Sequence, residues 1–355
     1  MRNRWLILCV SPLLLVSLLL SSCTCNCTSN EGVGGDWNPQ DLETQGGLPT
    51  TIETAFELPF TYEGSLGSIS MSWDHTGEKF LIVGGQDLFG NTPVHTRFIM
   101  SGDTSDIEII EYIDDPEADG YQRYECVAYH TTEGYALISG INGGLWKISQ
   151  GYMQEIPTGT EEPLWSIVWE PNGDYALIGG WDFILKYDGT SIQELDTEGH
   201  GFMDASWSPD GTYVLLADND GGEIGRYDGE SFSILTIPDY DDYLVQSVSF
   251  SPVTEFALIE AQNSMVGGPS QALIGYDGTG FEIIGHIGQF PEKIFWEQYG
   301  TFAYVGGSST RDTMTIYQDG TISTLDMGEY KTALGWSPDG KYLVYKGAET
   351  IEFCR

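Results

Sequence analysis

The sequence predicts an all-β chain that closes into a ring of repeated four-stranded sheets. Three observations predict this fold: a hairpin pattern recurs along the chain, a second hairpin signal follows each copy, and the two ends complement each other. A clear copy of the first pattern is ASWSPDGTYVLLAD at 205–218. Proline presets φ early in the turn and glycine supplies a positive φ, so this stretch predicts two antiparallel strands joined by a tight turn.

An aromatic residue at the end of the first strand marks each copy of this hairpin. Seven markers follow one another at intervals of 38 to 56 residues, a period that suits four short strands and their turns. We expect the markers to pack between neighbouring sheets. The longest interval predicts an insertion, which we place within Asp103 to Tyr124. The markers are Trp73, Tyr129, Trp169, Trp207, Phe250, Trp296 and Trp336.

The second half of each repeat carries Asp-Gly between alternating apolar runs, as in ILKYDGTSIQEL at 184–195. This is a strong hairpin signal, so each repeat is interpreted as four strands, A to D. The last copy stops after Thr350–Phe353, its third strand, whereas Thr50–Leu58 precedes the first copy and resembles a fourth strand. We therefore predict that the N-terminal strand completes the last sheet and leaves no open edge.

The start of the chain predicts a leader that is not part of the ring. Met1–Arg4 is basic and Trp5–Leu20 is almost wholly apolar. Leu20–Cys23 resembles the lipobox of bacterial lipoproteins, which implies that Cys23 is lipidated and becomes the mature N-terminus. A plain secretory signal is the alternative, and both place the protein outside the cytoplasm. The predicted organisation is a signal peptide at 1–22, a flexible polar tether at 23–49 and the ring at 50–355.

The chain is strongly acidic, with 14 Lys and Arg against 53 Asp and Glu. Removal of residues 1–22 leaves 12 basic and 53 acidic residues, a formal charge of −41. Such a charge repels phosphate backbones, so we expect no nucleic acid partner. The acids are spread over every repeat, which favours a solvated acidic surface; a cation or a basic partner is the alternative.

Four cysteines follow Cys23, and in an oxidising compartment they could form up to two disulfides. Their spacing does not assign partners. They are Cys25, Cys27, Cys126 and Cys354.

Metal-binding patterns are weak. The five histidines lie in different repeats without paired spacing, which argues against a zinc site. Calcium is the cation that the acidic stretches 218–220 and 239–242 would favour, but neither matches an EF-hand loop. We therefore predict no cofactor.

Seven such units resemble a seven-bladed β-propeller of the WD40-like type, and the Ser-Pro-Asp-Gly turns at 208–211 and 337–340 resemble those of TolB-type bacterial propellers. The resemblance covers about residues 50–355. It implies four-stranded antiparallel blades, the last completed by the N-terminal strand. The chain lacks the regular Trp-Asp and Gly-His pairs of true WD40 repeats. In the family, lipid-anchored propellers are mostly binding or assembly modules of the cell envelope.

In this topology the B–C and D–A connections share one face, and they carry the residues that differ from repeat to repeat. Aromatic and acidic side chains on a rigid ring favour recognition of a ligand, although they could instead pack locally over strand ends. The predicted ligand-binding face comprises Phe89, Tyr124, Trp165, Trp181, Asp182, His200, Phe202, Asp220, Tyr243, Asn263, Phe290, Arg311 and Asp312.

The predicted function is that of a monomeric, lipid-anchored, extracytoplasmic module that binds a protein, peptide or glycan of the cell envelope. The alternative is a hydrolase or lyase acting on an extracellular polymer, with carboxylates near the central channel as acid and base. Nucleophile signals are weak, since Gly268–Ala272 is only a partial match to a nucleophile elbow. We therefore assign no catalytic residues.

Overall fold

The computed structural model describes residues 52–57, 68–87, 95–114, 123–218, 222–240, 243–263, 271–287, 290–307, 313–327, 331–347 and 350–354. In these ranges the chain forms 28 strands in seven antiparallel sheets of four strands each. This confirms the predicted all-β, seven-bladed propeller. No helix in the described part is long and apolar enough to cross a membrane.

The strands follow the chain from blade to blade, except that the first strand belongs to the last blade. Strand β1 spans Ile52–Glu57, and blade 1 contains β2 (Ser68–Trp73), β3 (Phe80–Asp87), β4 (His95–Gly102) and β5 (Ile107–Asp114). Blade 2 contains β6 (Tyr124–Tyr129), β7 (Ala136–Gly140), β8 (Leu145–Ser149) and β9 (Tyr152–Glu155), and blade 3 contains β10 (Ser166–Trp169), β11 (Ala176–Gly179), β12 (Ile184–Tyr187) and β13 (Ile192–Glu194). Blade 4 contains β14 (Asp204–Trp207), β15 (Val214–Ala217), β16 (Glu223–Tyr227) and β17 (Phe232–Thr236), and blade 5 contains β18 (Tyr243–Phe250), β19 (Ala257–Asn263), β20 (Gln271–Tyr276) and β21 (Phe281–Ile287). Blade 6 contains β22 (Phe290–Trp296), β23 (Phe302–Gly307), β24 (Thr313–Gln318) and β25 (Thr321–Asp326), and blade 7 contains β26 (Thr332–Trp336), β27 (Leu343–Lys346), β28 (Thr350–Cys354) and β1.

Burial changes from the inner to the outer strands of a blade. The B strands β7 and β11 are buried at every residue, whereas most residues of the D strands β9 and β13 are exposed. Neighbouring blades cover both faces of a B strand, and this is why these strands are continuous apolar runs without alternation.

The ring is closed by strands from both ends of the described chain. Strand β1 pairs antiparallel with β28, with Ile52 opposite Cys354 and Glu57 opposite Thr350. The Phe56 ring packs edge to face on the buried ring of Phe353, at 5.9 Å between centroids. The prediction that the N-terminal strand completes the last blade is therefore confirmed.

The insertion predicted within Asp103 to Tyr124 lies partly outside the described residues, at 115–122. Ile107–Asp114, inside that range, forms the regular strand β5. Part of the extra length of the first repeat comes from strands β3, β4 and β5, which have eight residues each, while the strands of blade 2 have four to six.

The marker aromatics lie between blades, as predicted. The Trp169 ring contacts Tyr135 of the preceding blade edge to face at 5.7 Å, and Trp207 contacts Tyr175 in the same way at 6.1 Å. The Trp169 indole also donates a hydrogen bond from Nε1 to the carbonyl of Ala128, at 3.2 Å. Each of these contacts joins two blades, so the aromatic before the A–B turn fixes the position of one blade on the next.

Polar side chains join the innermost strands around the central channel. Ser70 Oγ accepts the amide of Val127 in the next blade at 3.2 Å, and Asp204 Oδ2 accepts Ser247 Oγ–H at 2.7 Å. Lys293 Nζ lies 3.6 Å from Asp204 Oδ1. Burial lowers the pKa of Lys293, but the Asp204 carboxylate outweighs this effect, and the pKa lies above its usual value. Asp204 is thus a channel carboxylate that links blades 4, 5 and 6.

The described cysteines are buried thiols. Cys126 in β6 and Cys354 in β28 form no disulfide. The other two cysteines that could form disulfides, Cys25 and Cys27, lie outside the described residues.

Candidate functional site

The ring has two chemically different faces. We call the A–B and C–D connections the turn face, which includes 74–79, 188–191, 228–231 and 277–280. We call the B–C and D–A connections the loop face. Its longer described segments are 141–144, 156–165, 180–183, 195–203 and 237–240, and single described residues such as Arg123, Asp218 and Lys331 lie at the ends of other connections.

On the turn face, aspartate and tyrosine side chains form hydrogen bonds with the backbone of their own turns. Asp188 Oδ1 accepts the amides of Thr190 and Ser191 at 2.9 and 2.7 Å, and Tyr187 donates its hydroxyl proton to the Gly189 carbonyl at 2.7 Å. The same contacts recur at Tyr-Asp-Gly 227–229 and 276–278. Hydrogen bonds from the backbone amides lower the pKa of Asp188 most strongly, with those from the Thr190 and Ser191 hydroxyls adding to the effect. These carboxylates therefore stabilise the fold.

A shallow cleft of about 340 Å³ opens on the turn face between blades 7 and 1, beside Trp73 and Tyr342. Its acids Asp103 and Asp339 accept hydrogen bonds within their own turns, and both have a lowered pKa. Burial by itself raises the pKa of Asp339, but the hydrogen bond from the Ser337 hydroxyl and the other nearby groups together outweigh this effect and lower the pKa. Asp103 and Asp339 are thus engaged in their own turns, and we do not assign a ligand to the cleft.

On the loop face, three segments meet through their backbones in blade 3. The Trp165 amide donates to the Gly179 carbonyl at 2.8 Å, and the Phe202 amide donates to the Gly180 carbonyl at 3.2 Å. A Cβ on Gly201 would lie 2.0 Å from the Gly180 oxygen, so only glycine permits this approach. The B–C loop of blade 3 is therefore held between two D–A segments, and this holds their side chains in place.

Trp165 and Trp181, which we call the Trp pair, lie where these segments meet. Their rings pack edge to face with centroids 5.2 Å apart. Trp165 is half-buried, whereas Trp181 is 43% exposed and is followed by the exposed Asp182. The arrangement presents one indole to solvent and supports it with a second.

His200 lies on the next D–A segment between two carboxylates. Its Nδ1 is 2.5 Å from Asp218 Oδ2 and 3.9 Å from Glu223 Oε2. The Asp218 carboxylate accepts a hydrogen bond from Nδ1–H and thereby fixes the orientation of the ring. The Thr197 hydroxyl donates to the His200 carbonyl at 2.6 Å and holds the segment itself.

Two further predicted residues meet in blade 5. Tyr243 and Asn263 are opposite each other in β18 and β19, at the end of the sheet that reaches the loop face, and both are partly exposed. The Tyr243 ring lies 4.3 Å from that of Tyr240. They form a second location on the loop face, in a different blade from the Trp pair.

Tyr124 and Phe202, which were predicted on the loop face, are core residues, each 1% exposed. The Tyr124 hydroxyl donates to Glu111 Oε1 at 2.6 Å, and burial together with this hydrogen bond raises the pKa of Tyr124. Each lies five residues before its marker aromatic, and Leu164 and Val245 at the same position are fully buried as well. Alignment of the repeats at that position would have identified them as core residues.

The remaining predictions fall where less is described. Phe290 is the first residue of β22. Cys23, Phe89, Asp220, Arg311 and Asp312 lie outside the described residues.

Sequence reasoning missed the pairing of His200 with Asp218, because it treated Asp218 as a calcium ligand. The two residues are 18 positions apart and meet only because the loops pack. In the described ranges no three His, Cys, Asp or Glu side chains are grouped so that they could hold a metal ion.

Comparison with known proteins supports the fold. No protein-family model matches the sequence, and no curated protein matches it. One similar solved structure is a chain of the crystal structure of the mitotic checkpoint complex, with 12% sequence identity and a TM-score of 0.63 over 92% of this chain and 99% of that chain. In all, 1268 chains of solved structures match, so the WD40-like propeller fold is well supported but does not discriminate among functions.

Proposed function

We propose that this chain is a lipid-anchored, extracytoplasmic module of the cell envelope that binds a protein or peptide on its loop face. The propeller fold is consistent with a protein-binding scaffold. The observation that carries the proposal is the Trp pair, an exposed indole supported by a second one on backbone segments that are fixed to each other.

A binding role suits this geometry because the cost of ordering the site is low. The segments around Trp181 are already held by hydrogen bonds and by the close approach of Gly201 to Gly180. Preorganised aromatic side chains contribute disproportionately to binding energy at protein interfaces. A glycan stacking on the same indole is the other outcome that the experiment below must separate.

We favour binding over hydrolysis because two neighbouring carboxylates of the loop face are engaged with a histidine. Asp218 and Glu223 both face His200 Nδ1, at 2.5 and 3.9 Å. A glycoside hydrolase instead leaves the space between its two carboxylates for the scissile bond and water. In the channel, Asp204 is paired with Lys293, at 3.6 Å between Oδ1 and Nζ.

The binding role is tested by affinity capture from solubilised native envelope, followed by mass spectrometry. The bait carrying Trp181→Ala and Asp182→Asn should lose the partners that the unaltered chain retains. Tyr299→Ala is the matched control, because Tyr299 is a 60% exposed aromatic on the turn face. Retention of every partner by the Trp181 variant would count against the loop face.

The anchor is tested separately with Cys23→Ser. We expect the unaltered protein to sediment with membranes and to carry acyl chains at its N-terminus by intact mass. The variant should lose the acyl mass and move to the soluble fraction. Unchanged mass and sedimentation would exclude lipidation at Cys23.

A further inference from the structure

We infer that the Trp pair takes a basic segment of the partner, with an arginine or lysine side chain lying on the exposed face of Trp181. The inference rests on the proposed function and specifies the chemistry of the occupant. It follows from the charge around the Trp pair and from how this chain uses its own cations.

The loop face around the Trp pair carries more exposed acids than cations. The segments 141–144, 156–165, 180–183, 195–203 and 237–240 contain no lysine or arginine, and Arg123, at the start of blade 2, is paired with Glu125. Several carboxylates are exposed there, and the field of such a surface concentrates cations and steers them to it. The exposed acids are Glu161, Glu162, Asp182, Asp196, Glu198 and Asp239.

The chain's own cations are engaged elsewhere, several of them on aromatic rings. Lys147 Nζ lies 3.5 Å from the centre of the Tyr135 ring, and the Arg226 guanidinium lies 4.2 Å from that of Tyr213. Lys186 Nζ lies 3.8 Å from the centre of the Tyr175 ring and donates a hydrogen bond to a tyrosine hydroxyl of the next blade. These internal pairs show that cations on aromatic rings are a recurring contact in this fold.

Trp181 offers an aromatic ring for a cation, as these tyrosines do, but it has no cation on it in the described part of the chain. In the described part of the chain no lysine or arginine stacks on it, and 43% of the residue is exposed. Tryptophan is the best ring for a cation, and an adjacent carboxylate can accept hydrogen bonds from the same guanidinium. Asp182 is placed to supply that carboxylate. An arginine from outside therefore satisfies both groups, which a neutral ligand does not.

The size of the effect allows a clear test. A cation on an exposed aromatic ring contributes about 0.5–1 kcal/mol, and more when it is desolvated. Together with an accepted hydrogen bond at Asp182, we expect an arginine to improve affinity about tenfold over a neutral side chain of similar length. Because the contribution is electrostatic, it should fall as ionic strength rises.

The experiment uses the full chain in detergent and three fluorescein-labelled peptides of alternating glycine and a variable residue, which is Arg, Lys or Gln. Binding is measured by fluorescence anisotropy at about 50 and about 500 mM NaCl. We expect the Arg peptide to bind at one site about tenfold more tightly than the Gln peptide, with the Lys peptide in between. Trp181→Ala should remove this preference while the circular dichroism spectrum and melting temperature stay unchanged.

Two control variants separate a specific site from general attraction to an acidic protein. Tyr299→Ala removes an exposed ring and Glu133→Gln removes an exposed acid, both on the turn face. Neither should weaken binding of the Arg peptide. Equal weakening by the controls and by Trp181→Ala would overturn the inference in favour of diffuse charge. Equal affinity for the Arg and Gln peptides would overturn it too.

The result can be distinguished from a failure of the proposed function. If envelope capture depends on Trp181 but the Arg peptide neither binds nor competes, the inference of a basic partner segment is wrong, while the proposal that the loop face binds a partner is retained. Binding of a neutral oligosaccharide at Trp181, insensitive to salt, would also overturn the inference and favour a glycan. If neither capture nor peptide binding depends on Trp181, both proposals fail.

Discussion

The two faces of the ring use the same residue types for opposite purposes. On the turn face, Asp188 and Tyr187 bond to the backbone of their own turn, and the pattern recurs in other blades. On the loop face, Asp182 and Trp181 are exposed, and the contacts that fix their segment are made by backbone groups. A count of acids and aromatics therefore says little about function until each residue is assigned to a face.

This difference has a physical origin in local and non-local hydrogen bonding. A C–D turn is complete in itself, because an aspartate accepts amides two and three residues ahead. The B–C and D–A segments instead depend on each other, as the contacts between Gly180 and Phe202 show. Trp181 and Asp182 are exposed on one of these segments, and they are available to a partner.

The largest effect that we predict compares one glycine from each face. Gly201→Ala brings a Cβ within 2.0 Å of the Gly180 oxygen, whereas at Gly278, with φ of +88°, an added Cβ meets nothing within 4 Å. Overpacking should cost about 3 kcal/mol of unfolding free energy at Gly201, and backbone strain about 1 kcal/mol at Gly278. Chemical denaturation measures both values. Equal losses would show that the loop face is no more tightly interlocked than the turns.

A smaller predicted effect is on the pH dependence of the melting temperature. It distinguishes acids that bond to their own turn from acids that are exposed on the loop face. The pKa of Asp188 is lower in the folded chain than in the unfolded chain, so its stabilising contribution is present above the unfolded value near 3.8 and is lost as pH falls through the folded value. Asp188→Asn should therefore lower the melting temperature by a few degrees at neutral pH and flatten its decline in acid. Asp182→Asn should change neither, since its carboxylate is exposed on the loop face. Identical acid profiles for the two variants would contradict the distinction.

The smallest effect is that of salt on the whole ring. Self-repulsion among the 53 acids should be screened as ionic strength rises from about 50 to about 500 mM NaCl. We expect the melting temperature to rise by a few degrees over this range. A melting temperature that is flat with salt would mean that the acids are already compensated within the fold.

Most of the fold could be predicted because its signals are local and repeated. The marker Trp207 and the turn after it specify a hairpin by themselves, and so does Tyr-Asp-Gly at 227–229. Seven copies then fix the number of blades. Closure by Ile52–Glu57 could be predicted as well, because a three-stranded last blade leaves one strand missing.

The candidate site was less predictable because exposure depends on contacts between loops. Tyr124 and Phe202 look like loop aromatics in the sequence, yet their position before the marker turns them toward the preceding blade and buries them. Trp165 and Trp181 were assigned to the same face, but their ring contact depends on how the Gly179–Gly180 backbone meets its neighbours. The pairing of His200 with a carboxylate 18 residues away has the same origin.

The direction of β1 gives the molecule a polarity. Ile52 lies beside Cys354, where the third strand of blade 7 reaches the turn face, and Glu57 lies at the opposite end beside Thr350. A lipid tether leading to Ile52 would thus reach the ring on its turn face, at the outermost strand of blade 7. Trp181 is on the opposite face of the ring, and a pull on the tether would load the ladder between β1 and β28 before any other blade.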